Sequence, residues 1–342
     1  MLSQELKVDA IPRHVALGMT DEDALRIYRA MVLARALDER TWLLNRQGFG
    51  HFAVPGAGHE AAAAGYALHL RPGRDWLVPH YRDLAGLLIY GLTPREVMCS
   101  YLARANDVTS GGRQNYAHWG HKDLRIKSIS SPQGPAMPQA VGLALAQKIR
   151  GEDNITFCGF GDGSSSKGDV HEAMNFAAIH RCPIVFYCEN NGVAISVPQS
   201  LQMAIENLAD RAAGYGFPGV TVDGNDVLAV YEATKEAVER ARAGEGPTLI
   251  EAKCYRLMPH TSNDDDSYRS PEELEEARRA DPIPRFKAYL ESVGLLSDEL
   301  DAQIHAEVAD EVEDATEFAM NSPQPAPEDA LKFVYAADPR VR

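Results

Sequence analysis

Two turns in the middle of the 342-residue sequence carry polar side chains suited to binding an ion. The first contains Gly161, Asp162 and Gly163, and the second contains the pair Asn190 and Asn191. Each turn follows an apolar stretch typical of a buried strand, and a helical stretch lies between them. Because both turns of a right-handed strand-helix-strand crossover open at the carboxyl edge of the sheet, we expect Asp162 and Asn191 to converge.

The residue types at these turns indicate which ligand they would bind. One carboxylate oxygen, one amide oxygen and a nearby main-chain carbonyl form an oxygen-only set, which Mg²⁺ prefers and completes with phosphate oxygens and water. The two glycines would let a diphosphate approach the backbone, and Ser164, Ser165 and Ser166 would offer hydroxyls and amides at the start of the next helix. Either turn alone is a common structural sequence, but the two in this order predict a magnesium-diphosphate site.

A dinucleotide-binding turn is the alternative reading of the same residues. Gly159 and Gly161 follow a strand, and Glu189 ends the next one. The third glycine of that pattern is replaced by Ser164, and Asp162 would then face a pyrophosphate with no metal between them. We therefore favour the magnesium-diphosphate interpretation.

The elements that must position these turns follow from the apolar pattern. Apolar strands alternate with helices, which predicts an α/β fold with a parallel sheet covered by helices on both faces. A long amphipathic helix starts at Thr20 or Asp21 and ends at Gly48, and the composition from Gly111 to Pro138 predicts a long loop. Beyond Ser270 the pattern is helical and charged, with "LKFVY" the only strand-like stretch.

This pattern divides the chain into three parts that we expect to form one compact unit. They are an N-terminal arm and long helix at 1–48, an α/β domain at 49–270 that carries both turns, and a helical C-terminal extension at 271–342.

Composition restricts the classes of partner and the compartment. The formal net charge of -15 disfavours nucleic acid and anionic lipid as partners. The five cysteines are odd in number and lack CxxC spacing, so we expect reduced core residues. The first residues lack the apolar core of a signal peptide and no apolar run is long enough to span a bilayer, so the expected location is the cytoplasm.

The stretch "GDGSSSKGDVHEAMNFAAIHRCPIVFYCENNGVAIS" resembles the thiamine diphosphate motif, GDG followed some thirty residues later by NN. The chain as a whole resembles alpha subunits of the decarboxylating component of 2-oxo acid dehydrogenase complexes. The stretches that carry this resemblance include "LARALDERTWLLNRQG", "GHEAAAAG", "PHYRDLAGLLIYG", "GGRQNYAHWG" and "DPIPRFKAYLESVGLLSDE". "TWLLNRQG", "SSPQGPAMPQAVG" and "PHTSNDDDSYR" are most similar to the branched-chain (2-oxoisovalerate) type, although pyruvate- and acetoin-directed relatives share most of these stretches.

The resemblance implies the thiamine diphosphate-binding fold for 49–270, with thiamine diphosphate and Mg²⁺ as cofactors. It assigns Mg²⁺ to the side chains of Asp162 and Asn191 and to the carbonyl of Val193, where relatives usually carry an aromatic residue. It places Tyr81 and Arg82 at the cofactor, with Arg82 meeting the diphosphate. On sequence alone, Arg82 beside Asp83 reads more simply as a surface ion pair.

The resemblance assigns further residues to the two ends of the cofactor. Ser131 and the backbone of Gln133 match a segment that surrounds the cofactor, although a branched aliphatic residue is more usual than Gln133. The cofactor-binding set is completed by Gly161, Gly163, Ser164 and His260, and the substrate-facing set is Phe52, Tyr81, His118 and Ser131. The "NYAH" loop departs from the family pattern, so only His118 carries over from it. Lys167 replaces a common Glu or Gln and either adds a cation near the phosphates or faces solvent.

His260 is the catalytic residue that the resemblance implies. By itself it reads as a surface histidine in the acidic loop "PHTSNDDDSYRS". The family match places it near the reacting carbon, with Arg256 and Asp264 organising its loop. A histidine with a pKa near neutrality can donate and accept protons there.

The resemblance also implies partners. The sequence shows one diphosphate-binding module, so we expect a separate beta subunit, an α2β2 heterotetramer, and acyl transfer to the lipoyl domain of a dihydrolipoyl acyltransferase. The implied activity is thiamine diphosphate-dependent oxidative decarboxylation of a small branched 2-oxo acid. The alternatives are a pyruvate or acetoin dehydrogenase alpha subunit and, from another class, a non-catalytic thiamine diphosphate-binding subunit.

Overall fold

A computed structural model describes residues 11–332 of the chain, and its centre is a five-stranded parallel sheet. The strands are β1 (Trp76–Val78), β2 (Thr156–Gly161), β3 (Ile184–Asn190), β4 (Val193–Ala194), β5 (Val197–Pro198), β6 (Gly219–Asp223) and β7 (Thr248–Lys253). The sheet order is β1-β2-β3-β7-β6, and β4 and β5 form a separate antiparallel pair. The predicted α/β class with a parallel sheet is confirmed.

Helices surround this sheet. They are α1 (Arg13–Ala16), α2 (Asp21–Arg46), α3 (Glu60–Ala67), α4 (Leu84–Tyr90), α5 (Pro94–Tyr101), α6 (Ala136–Ile149), α7 (Gly168–Ile179), α8 (Arg211–Tyr215), α9 (Val227–Arg242), α10 (Pro271–Arg279), α11 (Pro282–Ser292) and α12 (Asp298–Asn321). The strand-like stretch "LKFVY" begins where a short 3₁₀ turn ends at Leu331, and its last three residues lie outside the described part of the chain.

Both faces of the sheet are covered, because alternate strand residues point to opposite sides. Phe157 and Tyr187 belong to the core that includes α3 and α9, and the Phe157 ring stacks on Tyr66 with ring centroids 4.3 Å apart. Cys158 and Phe186 belong to the core that includes α6 and α7. The buried strands therefore read as continuous apolar runs in the sequence.

The register of β2 and β3 brings the two polar turns together. The strands pair in parallel with Gly161 opposite Glu189, so both end at the same edge. Asp162 follows β2 directly and opens a 3₁₀ turn that runs to Ser166. The three serines therefore lie in a separate turn before α7, rather than in its first turn.

The long helix α2, near the start of the described chain, packs against helices from its C-terminal end. Thr20 caps it in a reciprocal pair with Asp23, as the sequence predicts, and the helix ends at Arg46, two residues before Gly48. Helices α11 and α12 pack against α2, and the Tyr28 hydroxyl donates to the Asp301 carboxylate at 2.6 Å. The division at 48 and 270 stays a prediction.

The long loop between α5 and α6 is held by isolated contacts. Ile126 forms a parallel bridge with Leu77 and an antiparallel bridge with His121. The Trp119 indole donates to the Tyr81 carbonyl at 3.0 Å. These contacts place the loop beside the carboxyl edge of β1.

The cysteines and the helices bear on two further expectations. All five cysteines are free, and Cys99, Cys158, Cys182 and Cys188 are buried, as expected for reduced core residues. Within residues 11–332, no helix combines the length and apolarity needed to cross a membrane.

Candidate active site

A cavity of about 470 Å³ opens at the carboxyl edge of β2 and β3. It is lined by eleven of the residues that the sequence singled out: Phe52, Tyr81, His118, Ser131, Gly161, Asp162, Gly163, Ser164, Asn191, Val193 and His260. The structure thus brings together residues from seven separate stretches of sequence. Their roles in binding stay predictions.

Two further predicted residues, Arg82 and Gln133, lie behind the cavity wall. Arg82 is 2% exposed and donates through Nη2 to the His260 carbonyl at 2.9 Å, while Nη1 donates to the Pro55 carbonyl. Gln133 is buried with φ of 53°, and its Oε1 accepts from the Gly161 amide at 3.2 Å. Both residues therefore support the segments that line the cavity.

Asp162 is a buried carboxylate at the cavity floor. Its side chain is 1% exposed, and burial raises its pKa above the ordinary range. The Gln202 side-chain amide donates to Oδ2 at 2.9 Å. Burial disfavours the charged form, and a cation at this point would restore it, so Asp162 fits a divalent ion. No pattern in the sequence pointed to Gln202.

Asn191 and Val193 complete the oxygen-rich side of the cavity. The Asn191 Oδ1 accepts from the Val193 backbone amide at 3.3 Å, which fixes which end of the side-chain amide is oxygen. Gly192 between them has φ of 80°, a conformation that glycine adopts without strain. Asp162 and Asn191 both line the cavity and offer one carboxylate and one amide oxygen, which fits the oxygen preference of Mg²⁺.

A buried polar cluster that sequence reasoning missed lies beneath this site. The Glu189 Oε2 lies 2.6 Å from His59 Nδ1 and 2.8 Å from His80 Nδ1. Burial raises the pKa of Glu189 to about 7, and burial beside Glu189 raises that of Asp83 well above its ordinary range. Asp83 Oδ2 accepts from the His80 backbone amide at 2.7 Å, which places Asp83 in the same group. We refer to His59, His80, Asp83 and Glu189 as the Glu189 cluster.

His80 connects the Glu189 cluster to the cavity. It lines the cavity although it is 1% exposed, and its Nε2 has no hydrogen-bond partner among residues 11–332. Burial lowers its pKa to about 3. In sequence, His80 precedes the Tyr81-Arg82 pair, and only the polar residues inside an otherwise apolar stretch could have drawn attention to it.

His260 has a different protonation state from the one expected. Burial, followed by the charges of Arg82 and Arg256, lowers its pKa to about 4, so the near-neutral pKa expected from sequence is corrected. Arg82 Nη2 donates to Nδ1 at 3.0 Å. The neutral ring therefore carries its proton on Nε2.

The loop around His260 is organised by two charged residues. Asp264 accepts from the His260 backbone amide at 3.0 Å and from the Tyr268 hydroxyl at 2.6 Å. Arg256 is 1% exposed and donates to the Met258 carbonyl, the Ile195 carbonyl and the Tyr268 hydroxyl. The loop is thereby tied to the β4-β5 hairpin beside the proposed metal ligands.

His118 and Lys167 lie on the opposite side of the cavity. His118 Nδ1 donates to the Tyr116 carbonyl at 3.0 Å, so Nε2 accepts from the Ser131 hydroxyl. Lys167 is exposed and also lines the cavity, and its aliphatic chain lies close to Gly134. Lys167 therefore contacts both solvent and the cavity, and its position near the phosphates stays a prediction.

Fold and site together define an α/β enzyme whose site lies at the carboxyl edge of a parallel sheet. Such edges are where open α/β sheets bind their ligands. The chain belongs to the dehydrogenase E1 component family, whose model matches residues 28–328.

Named relatives indicate which types of dehydrogenase subunit the chain is similar to. The 2-oxoisovalerate dehydrogenase subunit alpha of Bacillus subtilis (strain 168) is 53% identical over 325 residues, which cover 95% of this chain and 98% of the relative. The 3-methyl-2-oxobutanoate dehydrogenase subunit alpha of Mycobacterium tuberculosis is 44% identical over 306 residues, covering 87% and 80%. The pyruvate dehydrogenase E1 component subunit alpha of Staphylococcus aureus is 38% identical over 329 residues, covering 94% and 85%.

Proposed function

We propose that the chain is the alpha subunit of a branched-chain 2-oxo acid (2-oxoisovalerate) dehydrogenase. With thiamine diphosphate, it decarboxylates a branched 2-oxo acid oxidatively and transfers the acyl group to the lipoyl group of an acyltransferase. The observation that carries the substrate class is the 53% identity over nearly the whole Bacillus subtilis relative, against 38% for the pyruvate dehydrogenase relative.

The phosphate end of the cavity would hold the cofactor. Asp162 and Asn191 offer side-chain oxygens to Mg²⁺, and Val193 offers its carbonyl. The backbone of Gly161 to Ser164 meets the diphosphate, and Arg82 supplies a positive charge behind it. Support comes from the buried Asp162 carboxylate and from the shared cavity of these residues. Thiamine diphosphate supplies the electron sink for cleavage of the bond to the carboxylate.

The other end of the cavity would meet the 2-oxo acid. Phe52 and Tyr81 contribute aromatic surface, and His118 and Ser131 contribute a hydrogen-bonded polar pair. His260 presents a neutral Nε2–H, because Arg82 occupies Nδ1. His260 therefore acts as a neutral hydrogen-bond donor at the reacting end.

A beta subunit would complete the enzyme. Relatives are named as alpha subunits, and the described residues form one five-stranded parallel sheet with the cavity at its edge. The proposed assembly is an α2β2 heterotetramer that delivers its acyl group to a lipoyl domain.

Substrate turnover tests this proposal. The full chain is co-expressed with its beta subunit, and lipoyl-dependent turnover of 3-methyl-2-oxobutanoate, pyruvate and acetoin is compared at saturating thiamine diphosphate and Mg²⁺. We expect the highest kcat/KM for 3-methyl-2-oxobutanoate and loss of turnover in the Asp162→Ala variant. A higher kcat/KM for pyruvate or acetoin would instead identify the chain as the alpha subunit of a pyruvate or acetoin dehydrogenase.

His260 separates the enzyme from a non-catalytic cofactor-binding subunit. We expect His260→Ala to reduce kcat by on the order of 100-fold, the scale of one positioned hydrogen-bond donor, while thiamine diphosphate remains bound. Bound cofactor with no turnover of any substrate by the unmodified complex, or full turnover by His260→Ala, contradicts a catalytic alpha subunit of this design.

A further inference from the structure

The Glu189 cluster contacts the proposed metal ligand Asn191 through His59. The Asn191 Nδ2 lies 3.2 Å from His59 Nε2, and His59 Nδ1 lies 2.6 Å from Glu189 Oε2. Both His59 and Glu189 are 0% exposed. A continuous buried hydrogen-bond path therefore runs from Glu189 to the Asn191 side-chain amide, and neither His59 nor Glu189 lines the cavity.

The direction of each hydrogen bond in this path is determined. The Val193 backbone amide is a donor, so the end of the Asn191 side chain beside it is Oδ1 and the other end is Nδ2. Nδ2 donates, so His59 Nε2 must accept. The single proton of the neutral ring is then on Nδ1 and is donated to the Glu189 carboxylate.

The same atoms could be read as a metal site. His59, His80 and Glu189 each offer a ligand atom, and these atoms lie within 4.8 Å of one another. However, both histidines meet the same Glu189 oxygen at hydrogen-bond distances of 2.6 and 2.8 Å, and the other nitrogen of His59 faces Asn191. Nδ1 of each histidine and Nε2 of His59 are thus used in hydrogen bonds, and the cluster fits an orienting role.

An amide side chain can bind a cation only through its oxygen end. Its two ends are nearly equal in size, so a rotation of 180° would present an NH₂ group to the metal. Against that rotation, the Val193 amide offers one contact of 3.3 Å. His59 adds a second restraint, because its unprotonated Nε2 would then face a carbonyl oxygen with no proton between them.

We propose that His59, held in one tautomer by Glu189, is a positioning residue that keeps the Asn191 oxygen directed at the cation. This inference rests on the proposed function, since it concerns the same magnesium-diphosphate site. His59 orients a ligand by hydrogen bonding, as partners of metal-binding side chains do elsewhere.

Two substitutions at His59 separate its two contacts. In His59→Gln the side-chain amide reaches the position of Nε2, so an acceptor for Asn191 is kept. In His59→Asn the shorter amide reaches the position of Nδ1, so the contact with Glu189 is kept and the acceptor for Asn191 is lost. His69→Asn is the matched control, because His69 is a largely buried histidine that bonds the Tyr231 carbonyl at 2.9 Å, away from the cavity.

The measurement is the Mg²⁺ concentration that gives half-saturation of thiamine diphosphate binding to the complex of the full chain with its beta subunit, determined by calorimetry. Thermal midpoints without Mg²⁺ are measured in parallel. Both His59 variants lose the imidazole, so a merely structural role predicts similar losses of binding in both.

We expect His59→Asn to raise the half-saturating Mg²⁺ concentration about 10–100-fold, and His59→Gln to raise it less than about tenfold. His69→Asn should bind Mg²⁺ like the unmodified complex. The inference is overturned if His59→Asn binds normally, if His59→Gln loses as much as His59→Asn, or if His69→Asn loses as much as either. If the unmodified complex shows no Mg²⁺-dependent binding, the proposed function fails instead, and the inference falls with it.

Discussion

At the scale of one residue, Asp162 shows how a binding site can lower the stability of the fold when its ligand is not bound. A carboxylate that is 1% exposed has lost most of its hydration, and the neutral Gln202 amide replaces only part of it. A bound cation would replace the rest of the lost hydration. The same side chain is therefore unfavourable for folding without metal and favourable for binding with it.

Replacing Asp162 with asparagine should have opposite effects on these two properties. We expect Asp162→Asn to raise the thermal midpoint of the metal-free protein, because a buried charge is removed while the shape is kept. We expect it to abolish Mg²⁺-dependent thiamine diphosphate binding, as measured by calorimetry. Ser166→Ala, at an exposed position of the same turn, is the control. A lower midpoint with unchanged binding would show that Asp162 is a structural residue only.

His260 should remain neutral across the physiological pH range in the ligand-free protein. Burial and two arginines lower its pKa to about 4, whereas an unfolded histidine has a pKa near 6.5. Its ring resonance, followed by NMR from pH 5.5 to 8, should therefore stay constant in the folded chain and move in urea. A midpoint near 6.5 in the folded chain would contradict the buried arrangement with Arg82.

Burial raises the pKa of Asp38, whereas it lowers that of His260. The two residues therefore change the free energy of unfolding in opposite directions as pH rises. Burial, then the charge of Glu60, raises the pKa of Asp38 to about 8, while its Oδ2 accepts from the Gly56 amide at 2.6 Å. Between about pH 4 and 8 the folded state keeps a proton that the unfolded state releases, so this residue lowers the free energy of unfolding as pH rises.

The Asp38→Asn variant tests this sign. Asparagine keeps an acceptor for Gly56 but has no proton to lose. The free energy of unfolding of the variant, relative to the unmodified chain, should therefore increase steadily from pH 5 to pH 8 in denaturant titrations. A difference that does not change with pH would mean that Asp38 is ionised in the folded state.

At the scale of elements, the sequence predicted what local patterns determine. Strand, turn and helix signals located β2, α7 and β3, and the handedness of one crossover placed Asp162 beside Asn191. Gln202 and His59 escaped prediction because their contacts with these residues depend on loop paths and helix packing that no short pattern specifies. The pKa of His260 escaped for the same reason, since it follows from burial beside arginines distant in sequence.

The loop that carries His260 should depend on the geometry of Arg256. A lysine cannot make the three contacts that Arg256 makes with two carbonyls and the Tyr268 hydroxyl. We expect Arg256→Lys to increase hydrogen exchange of residues 257–268 and to raise the KM for the 2-oxo acid several-fold, on the scale of about 1 kcal/mol. Arg278→Lys, at an exposed site in α10, is the control. Unchanged exchange in the Arg256 variant would show that the loop is held by other contacts.

At the scale of the whole molecule, the C-terminal helix belongs to the main core. Ile304, Val308 and Val312 of α12 are buried in the same hydrophobic cluster as Ile27 and Met31 of α2. The extension from 271 onward is thus expected to unfold together with the α/β domain, although the sequence marks it as a separate segment.

Removing apolar volume from α12 tests this coupling. We expect Ile304→Ala to lower the free energy of unfolding by about 2–4 kcal/mol, because it leaves a cavity in the shared core. Circular dichroism and a sheet-based fluorescence signal should both shift to the same lower midpoint. Two separate transitions, with only the helical signal shifted, would show that 271–342 folds independently.

The order of strands in the sheet also has a consequence for synthesis of the chain. β2 and β3 emerge from the ribosome one after the other, but β7, which covers the other side of β3, follows only after β6 and α9. β3 is buried along its whole length in the finished protein. During that interval it exposes unpaired backbone groups and apolar side chains at the edge of the sheet. The strand that carries Asn190 and leads into Asn191 therefore has an edge open to aggregation in the nascent chain, until the residues of β7 arrive.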